Sequence, residues 1–225
     1  MLQTTYAAAS RPAQWAKGWA VLLLCLAVLL PQAMAATPAR TAAQRTVLVF
    51  GDSLSAAYGM AASQGWVALL GKRLDTRKPG WSVANASISG ETTAGGVSRI
   101  GQVLERVEPD VVVIELGAND GLRGLPLAQS RANLVRMIRA SKQAGAEVLL
   151  VGMRMPPNLG RRYTDGFAEN YRAVAKAEGV VLLPFLLEPV AADRDNFQAD
   201  NLHPTAAVQP QLLDHVWRSL EPLLD

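Results

Sequence analysis

Three side chains in this sequence could together cleave an acyl bond. Ser53 follows a short apolar run, residues 47–50, and Asp200 lies three residues before His203 in a polar loop. Acyl transfer by serine needs a nucleophile, a base that takes its proton and a group that orients the base. Taken separately, each position has a plainer interpretation, because Ser53 could be a helix N-cap and the Asp200–His203 loop an ordinary turn.

Of the two histidines in the chain, one is better placed to serve as a base. His203 stands in a loop before the last predicted helix, from which an imidazole can reach over the edge of a sheet. His215 lies inside that helix, where a surface or packing role is expected. Asp200 is close enough within the same turn to accept a hydrogen bond from His203 Nδ1 and to select the tautomer.

Candidate donors for an oxyanion follow three of the predicted strands. The backbone N–H of Ser53 accompanies the nucleophile, and Gly90 has no Cβ, so that its N–H can approach a substrate closely. Asn119 offers a side-chain amide, although asparagine is also routine in a turn such as residues 117–121. None of these residues is specific alone, and their joint occurrence in separate loops is the stronger indication.

Strand and helix patterns alternate along the chain and predict an α/β fold. After the strand at residues 47–50, strands are predicted over 81–88, 110–116, 147–153 and 180–187, and helices over 54–74, 92–107, 127–144, 167–178 and 206–223. This alternation predicts a three-layer α/β/α sandwich around a five-stranded parallel sheet. Because the carboxyl ends of parallel strands share one edge, the loops that carry Ser53, Gly90 and Asn119 should converge there.

The first 35 residues are predicted to be a signal peptide, which leaves residues 36–225 as a single domain. Arg11 and Lys17 provide a positive start, and residues 33–35 (Ala-Met-Ala) fit a cleavage site. The apolar run between them, residues 18–30, is shorter than the ~20 residues that a membrane-spanning helix needs. We therefore expect cleavage before Ala36 and a periplasmic or secreted product; the alternative is an uncleaved anchor.

Composition excludes several classes of function for the exported domain. Cys25 is the only cysteine and lies in the leader, so the domain has no thiol for a disulfide, a nucleophile or a metal. Without Arg11 and Lys17 the 22 basic residues fall to 20, against 19 acidic ones, so no nucleic-acid partner is expected. The first turn lacks a glycine-rich phosphate-binding pattern, and a metal at His203 would lack further histidine ligands. We expect neither a metal nor another cofactor.

Four blocks of the sequence resemble those of the SGNH (GDSL) hydrolase family, in the same order. They are Gly51-Asp52-Ser53-Leu54, Gly90, Gly117-x-Asn119-Asp120 and Asp200-x-x-His203-Pro204, within a resemblance that spans roughly residues 46–223. Residues 118–124 and 160–163 are most similar to the periplasmic multifunctional branch of acyl-CoA thioesterases, lysophospholipases and arylesterases.

The resemblance implies a serine esterase or thioesterase with a flavodoxin-like strand order. It assigns Ser53 as nucleophile, His203 as base and Asp200 as its partner, and it builds the oxyanion hole from Ser53 N–H, Gly90 N–H and Asn119. Aryl esters, acyl-CoA and lysophospholipids are the substrates that it implies. Two other interpretations remain open: a carbohydrate O-acetyl esterase with the same catalytic residues, and a non-catalytic periplasmic binding protein.

Two loops after the third and fourth predicted strands should border the site. Their apolar residues could form an acyl groove and their arginines could meet an anionic head group; the residues in question are Leu122, Leu125, Met155 and Pro156, with Arg123 and Arg161. Ordinary loop packing and solvated charge are the alternative. A monomer is expected, since no partner subunit is needed to complete such a site, and transient contact with membrane lipids would suit a lipid substrate.

Overall fold

The protein is built on a parallel sheet, seen here in a computed structural model that describes residues 44–225. The predicted signal peptide lies outside the described residues. The strands are β1 (Arg45–Gly51), β2 (Trp81–Asn85), β3 (Val111–Glu115), β4 (Glu147–Val151) and β5 (Val181–Leu183). Their order in the sheet is β2-β1-β3-β4-β5, and every pairing is parallel. The predicted five-stranded sheet and its flavodoxin-like order are confirmed.

Helices cover both faces of this sheet. They are α1 (Trp66–Arg77), α2 (Thr93–Val107), α3 (Ala118–Leu122), α4 (Leu127–Gln143), α5 (Arg161–Glu178) and α6 (Gln209–Leu220). α1 packs against α6, whereas α2 packs on α4 and α4 on α5. Because crossovers between parallel strands are right-handed, these two groups lie on opposite faces and form the predicted three-layer sandwich. Within residues 44–225, no helix combines the length and the apolar character needed to cross a membrane.

The register of the two central strands is held by buried aliphatic and aromatic side chains. Val47 of β1 lies opposite Val111 of β3, and Phe50 lies opposite Ile114. All four side chains are at most 1% exposed. Burial of each such side chain contributes roughly 1.5–3 kcal/mol, so a shifted register would be strongly disfavoured. The fixed register determines where β1 and β3 end, and therefore how the loops after them face each other.

The segment after β1 differs from the predicted helix over residues 54–74. Residues 53–59 form consecutive turns, and α1 begins only at Trp66. Ala57 (φ 59°) and Gly59 (φ 74°) have left-handed backbone conformations, which a continuous right-handed helix excludes. The prediction of a helix that starts beside Ser53 is therefore wrong, and so is the interpretation of Ser53 as a plain helix N-cap.

Two predicted strands are shorter than expected. β2 ends at Asn85 rather than at Ile88, and β5 ends at Leu183 rather than at Leu187. Pro184 follows β5 directly and has no N–H with which to continue the ladder. The apolar residues beyond it are buried in turns, so the hydrophobic run reflects burial and not a longer strand.

Two helix boundaries also differ from the prediction. α5 begins at Arg161 rather than at Phe167, directly after Gly160, whose φ of 84° separates it from the preceding turn. The last predicted helix, residues 206–223, consists of α6 flanked by the 3₁₀ turns Ala206–Val208 and Glu221–Leu223. Neither difference moves a residue of the predicted catalytic set.

Candidate active site

Loops from four parts of the chain meet at the carboxyl edge of the sheet. Ser53 follows β1, Gly90 lies in the loop after β2, and Asn119 stands in α3 directly after β3. His203 comes from the loop before α6 and reaches the same place, since its Nε2 lies 2.8 Å from Ser53 Oγ. The convergence expected from the strand ends is present.

Ser53, His203 and Asp200 form a continuous hydrogen-bonded line. Beyond the contact between Ser53 Oγ and His203 Nε2, His203 Nδ1 lies 2.6 Å from Asp200 Oδ2. With a carboxylate as its partner, Nδ1 carries the proton and Nε2 is left to accept the proton of Ser53. The arrangement is that of a nucleophile, its base and the group that orients the base.

The loop that carries the base is a tight turn organised by the Asp200 carboxylate. Asp200 Oδ1 accepts hydrogen bonds from the backbone N–H of Leu202 (2.9 Å) and of His203 (3.0 Å). Partial burial raises the pKa of Asp200, but these two amides and the His203 side chain outweigh it and hold the pKa at about 2. Asp200 is therefore ionised at neutral pH, as its role beside the imidazole requires.

The nucleophile turn is organised in a similar way by Asp52. Its side chain is fully buried, and Oδ1 accepts a hydrogen bond from Leu54 N at 3.0 Å. Burial raises the pKa of Asp52 to about 6, against the lowering effects of the Leu54 amide, His203 and Asn119. The buried carboxyl group of Asp52 therefore holds the turn that carries Ser53.

A second buried acid, Glu115 at the end of β3, supports this turn from below. Glu115 Oε2 accepts hydrogen bonds from Ser55 Oγ at 2.7 Å and from Asp52 N at 3.4 Å. Complete burial and the neighbouring charge of Asp52 raise the pKa of Glu115 well above its ordinary range, which favours the protonated form. Gly51 leaves room for it, because a Cβ there would come within 2.8 Å of Glu115 Oε2.

Two backbone N–H groups of residues that line the site have no hydrogen-bond partner in the described part of the chain. Among residues 44–225, neither Ser53 N nor Gly90 N donates a hydrogen bond to another protein group. Gly90 lies in a turn that is closed by a hydrogen bond from Glu91 N to Ile88 O, and its φ of 80° suits glycine. Both N–H groups are available to a substrate oxygen.

The third predicted donor, Asn119, already has protein partners. Its Nδ2 donates to Asp52 Oδ2 at 3.1 Å and to the backbone oxygen of Glu91 at 2.9 Å. These bonds connect the loops after β1, β2 and β3. Because an amide nitrogen has two hydrogens, a substrate oxygen would have to share or replace one of these acceptors.

A cavity of about 540 Å³ opens beside Ser53 and His203. Of the predicted groove residues, Leu122, Met155 and Pro156 line it, and the sequence did not single out its other apolar walls, which include Tyr58, Met153, Phe185, Leu187, Phe197 and Leu202. Most of these belong to turns after β1, β4 and β5, which carry no recognisable motif. A volume of this size and an apolar lining suit a hydrocarbon chain.

The other predicted contact residues lie elsewhere. Leu125 and Arg161 are not among the residues that line the cavity. Arg161 lies 3.5 Å from Asp165 in an exposed ion pair on α5. Arg123 is also outside the lining, and its Nη2 donates to Gly90 O at 3.2 Å, so it braces the turn that carries a predicted oxyanion donor.

His215 is separate from the site, in agreement with the packing role expected for it. Its Nε2 lies 3.0 Å from Phe185 O and 3.9 Å from Glu188 Oε2, which joins α6 to the turn after β5. In the part of the chain that the structure describes, no group of three or more histidine, cysteine or acidic side chains is arranged to hold a metal ion.

Comparison with known proteins gives consistent similarities. The sequence pattern of the GDSL-like lipase/acylhydrolase family matches residues 49–209. The chain is 51% identical over 183 residues to the esterase TesA of Pseudomonas aeruginosa, and this match covers 81% of this chain and 91% of TesA. It is 42% identical over 186 residues to thioesterase 1/protease 1/lysophospholipase L1 of Escherichia coli K12. This match covers 83% of this chain and 88% of the E. coli protein.

Solved structures extend the similarity to three dimensions. The crystal structure of TesA superposes with a TM-score of 0.78 at 51% identity, over 80% of this chain and 99% of that chain. The residues of the Ser53–His203–Asp200 line all fall within the matched family pattern, residues 49–209.

Proposed function

Because this chain belongs to the GDSL-like lipase/acylhydrolase family, we propose that it is a serine hydrolase that cleaves acyl esters and thioesters through an acyl-enzyme on Ser53. The observation that carries the proposal is the hydrogen-bonded line from Ser53 Oγ through His203 (2.8 Å) to Asp200 (2.6 Å). It supplies a nucleophile and a base in one place, beside a cavity.

The reaction follows from these positions. Ser53 Oγ attacks the acyl carbon while His203 Nε2 takes its proton, and Asp200 stabilises the imidazolium that results. The protonated His203 then gives its proton to the departing alcohol or thiol. Water enters, loses a proton to His203 and releases the acid from Ser53.

The oxyanion that forms at each step needs donors aimed at it before the reaction begins. Ser53 N and Gly90 N have no protein partner among residues 44–225 and can both donate. Asn119 would contribute by sharing an N–H that now points to Asp52 Oδ2 or to Glu91 O. Asn119 lines the same cavity as Ser53 and Gly90.

The apolar cavity favours an acyl chain longer than acetyl. The carbohydrate deacetylase alternative needs room for only two carbons, whereas the cavity of about 540 Å³ has leucine, methionine and phenylalanine in its walls. Relatives carry the names esterase and thioesterase/lysophospholipase. We therefore place aryl esters, acyl-CoA thioesters and lysophospholipids ahead of acetylated sugars as substrate classes.

Export and transient contact with lipids are further parts of the proposal. The leader pattern in residues 1–35 supports cleavage before Ala36 and a periplasmic or secreted location. Three large hydrophobic side chains in the cavity wall are 41–49% exposed, namely Tyr58, Leu122 and Leu202. Such a rim could touch a lipid surface while a monomer withdraws one acyl chain. N-terminal sequencing of the exported protein tests the cleavage site.

The test of the proposal is hydrolysis of p-nitrophenyl esters from acetyl to palmitoyl by the purified domain, residues 36–225. Ser53→Ala should abolish turnover. Ser98→Ala is the matched control, because Ser98 lies on the exposed surface of α2, where its hydroxyl bonds Gly95 O, and it should keep full activity.

Each outcome separates the alternatives. Turnover of medium or long chains that disappears in Ser53→Ala supports the esterase and thioesterase proposal. Activity confined to the acetyl ester would favour the deacetylase. Absence of turnover in the wild type, with ligand binding retained, would favour the binding protein. Equal rates in the wild type and Ser53→Ala would remove Ser53 from its assigned role.

A further inference from the structure

One aromatic side chain contacts the catalytic base and is not used in the mechanism above. The ring of Tyr58 packs on the imidazole of His203, with 4.4 Å between ring centroids and 36° between the ring planes. Tyr58 is 49% exposed, so burial of its own apolar surface explains little of its placement. The contact of Tyr58 that bears on the reaction is the one with the imidazole of His203.

The backbone beside Tyr58 is strained at Ala57. Ala57, which precedes it, has a φ of 59°, and Gly59, which follows it, has a φ of 74°. The left-handed region costs free energy for a residue with a Cβ, so Ala57 would avoid it in a relaxed turn. Strain of this kind is retained where the surrounding structure requires it, often at a functional site.

Hydrogen bonds connect Tyr58 to both the nucleophile and the base. Tyr58 N donates to Ser53 O at 3.3 Å. Gln198 Nε2 donates to Tyr58 O at 2.9 Å, and the backbone N–H of Gln198 donates to His203 O at 2.8 Å. The strained turn is therefore fastened at both ends of the Ser53–His203 pair, which keeps the ring of Tyr58 against the imidazole.

We propose that Tyr58 is a positioning residue whose ring holds the His203 imidazole between Ser53 and Asp200 and stabilises the imidazolium formed during turnover. This inference rests on the proposed function, in which His203 is the base. The face of an aromatic ring carries partial negative charge and attracts a cation within ~6 Å of its centroid. The imidazolium forms in both acylation and deacylation, so the ring acts in both halves of the reaction.

The effect belongs to the ring and not to the phenol hydroxyl. The other titratable groups that act on His203 are Asp200 in its own loop and the buried Asp52 behind Ser53. Neither contact depends on Tyr58, so replacing its ring leaves both carboxyl groups in place. Tyr58→Phe keeps the ring face, whereas Tyr58→Leu removes it and keeps an apolar side chain, which makes the two variants a matched pair.

The experiment combines kinetics on p-nitrophenyl butyrate with NMR titration of the histidine ring protons. The chain has two histidines, and His215 on α6 is an internal control because it contacts Phe185 and Glu188 instead. Tyr58→Phe should stay within about twofold of the wild-type kcat. Tyr58→Leu should lose about fivefold in kcat and shift the His203 titration midpoint down by about half a pH unit, with His215 unchanged.

Several results would overturn the proposal. An unchanged His203 titration in Tyr58→Leu would mean that the ring does not stabilise the imidazolium, even if KM rises because the cavity wall has changed. An upward shift would mean that the ring chiefly excludes water from the imidazole. Equal loss in Tyr58→Phe and Tyr58→Leu would assign the effect to the hydroxyl. An inactive wild type would instead reject the proposed function, since the titration readout does not require turnover.

Discussion

Replacement of Asp200 by asparagine or by alanine tests the orientation of the base most directly. Asp200 Oδ1 accepts from two backbone N–H groups, those of Leu202 and His203, and Oδ2 faces His203 Nδ1 at 2.6 Å. In Asp200→Asn the single side-chain oxygen must stay with the two backbone donors, so the new NH₂ group faces Nδ1. The imidazole must then accept at Nδ1 and carry its proton on Nε2, where it cannot take the proton of Ser53.

The two variants should therefore differ in activity. A wrong tautomer at a serine–histidine pair costs about 10⁴ in kcat, which we expect for Asp200→Asn. Asp200→Ala removes the hydrogen bond to the imidazolium, which contributes roughly 1.5–3 kcal/mol, but it does not force the imidazole into the wrong tautomer. Because the Asp200 side chain is 38% exposed, water can replace part of its function. The loss for alanine should be about 10²-fold.

Stability should rank the two variants in the opposite order. Asparagine keeps both backbone bonds of the turn, whereas alanine loses them, at about 1 kcal/mol each before solvent competition is considered. The assay is kcat on a p-nitrophenyl ester together with the melting temperature of each variant. An Asp200→Asn enzyme as active as Asp200→Ala, or more so, would refute the argument that the backbone amides determine how the asparagine is oriented.

Three further predictions follow from other parts of the site. Asn119→Ala should lose about 10²–10³ in kcat, and a loss below tenfold would remove Asn119 from the oxyanion hole. Burial raises the pKa of Asp52 from an ordinary 3.8 in the unfolded chain to about 6 in the folded chain. The protonated side chain therefore contributes to stability below pH 3.8, and this contribution is lost as the pH rises through 6. Asp52→Asn should abolish this loss, so that the free energy of unfolding of the variant, measured with urea, gains about 2 kcal/mol relative to the wild type between pH 4 and 7. A difference that stays constant with pH would contradict the raised pKa. Leu122→Ser should shift the preferred acyl chain length without abolishing turnover, whereas Val181→Ser, an exposed hydrophobic position outside the cavity wall, should leave the preference unchanged.

Much of this protein could be predicted from local features of its sequence. The continuous β-branched residues of β3 indicate a strand covered on both faces, and the alternation of strands with helices implies a parallel sheet. A parallel sheet brings its strand ends to one edge, so the meeting of Ser53, Gly90 and Asn119 follows from element order alone. The spacing of Asp200 and His203 is likewise local, since one turn brings the two side chains together.

Other features depend on contacts between distant residues and carry no local signal. The helix expected after Ser53 is absent because Ala57 and Gly59 take left-handed conformations. One of the hydrogen bonds that fasten this turn comes from Gln198 Nε2 to Tyr58 O, 140 residues away in sequence. Asn119 looks like a free donor in the sequence, yet the structure places its amide against Asp52 and Glu91.

The difference between the features that the sequence predicts and those that it does not has a physical basis. Residue type, turn preference and hydrophobic period act over a few neighbouring residues, and they determined the strands, the sheet and the identity of the chemical groups. Burial and through-space contact act between segments that only the folded chain brings together. Tertiary structure alone therefore decided that Asp52 and Glu115 are buried beneath the nucleophile, that apolar turns form the cavity wall, and that the ring of Tyr58 lies on the base.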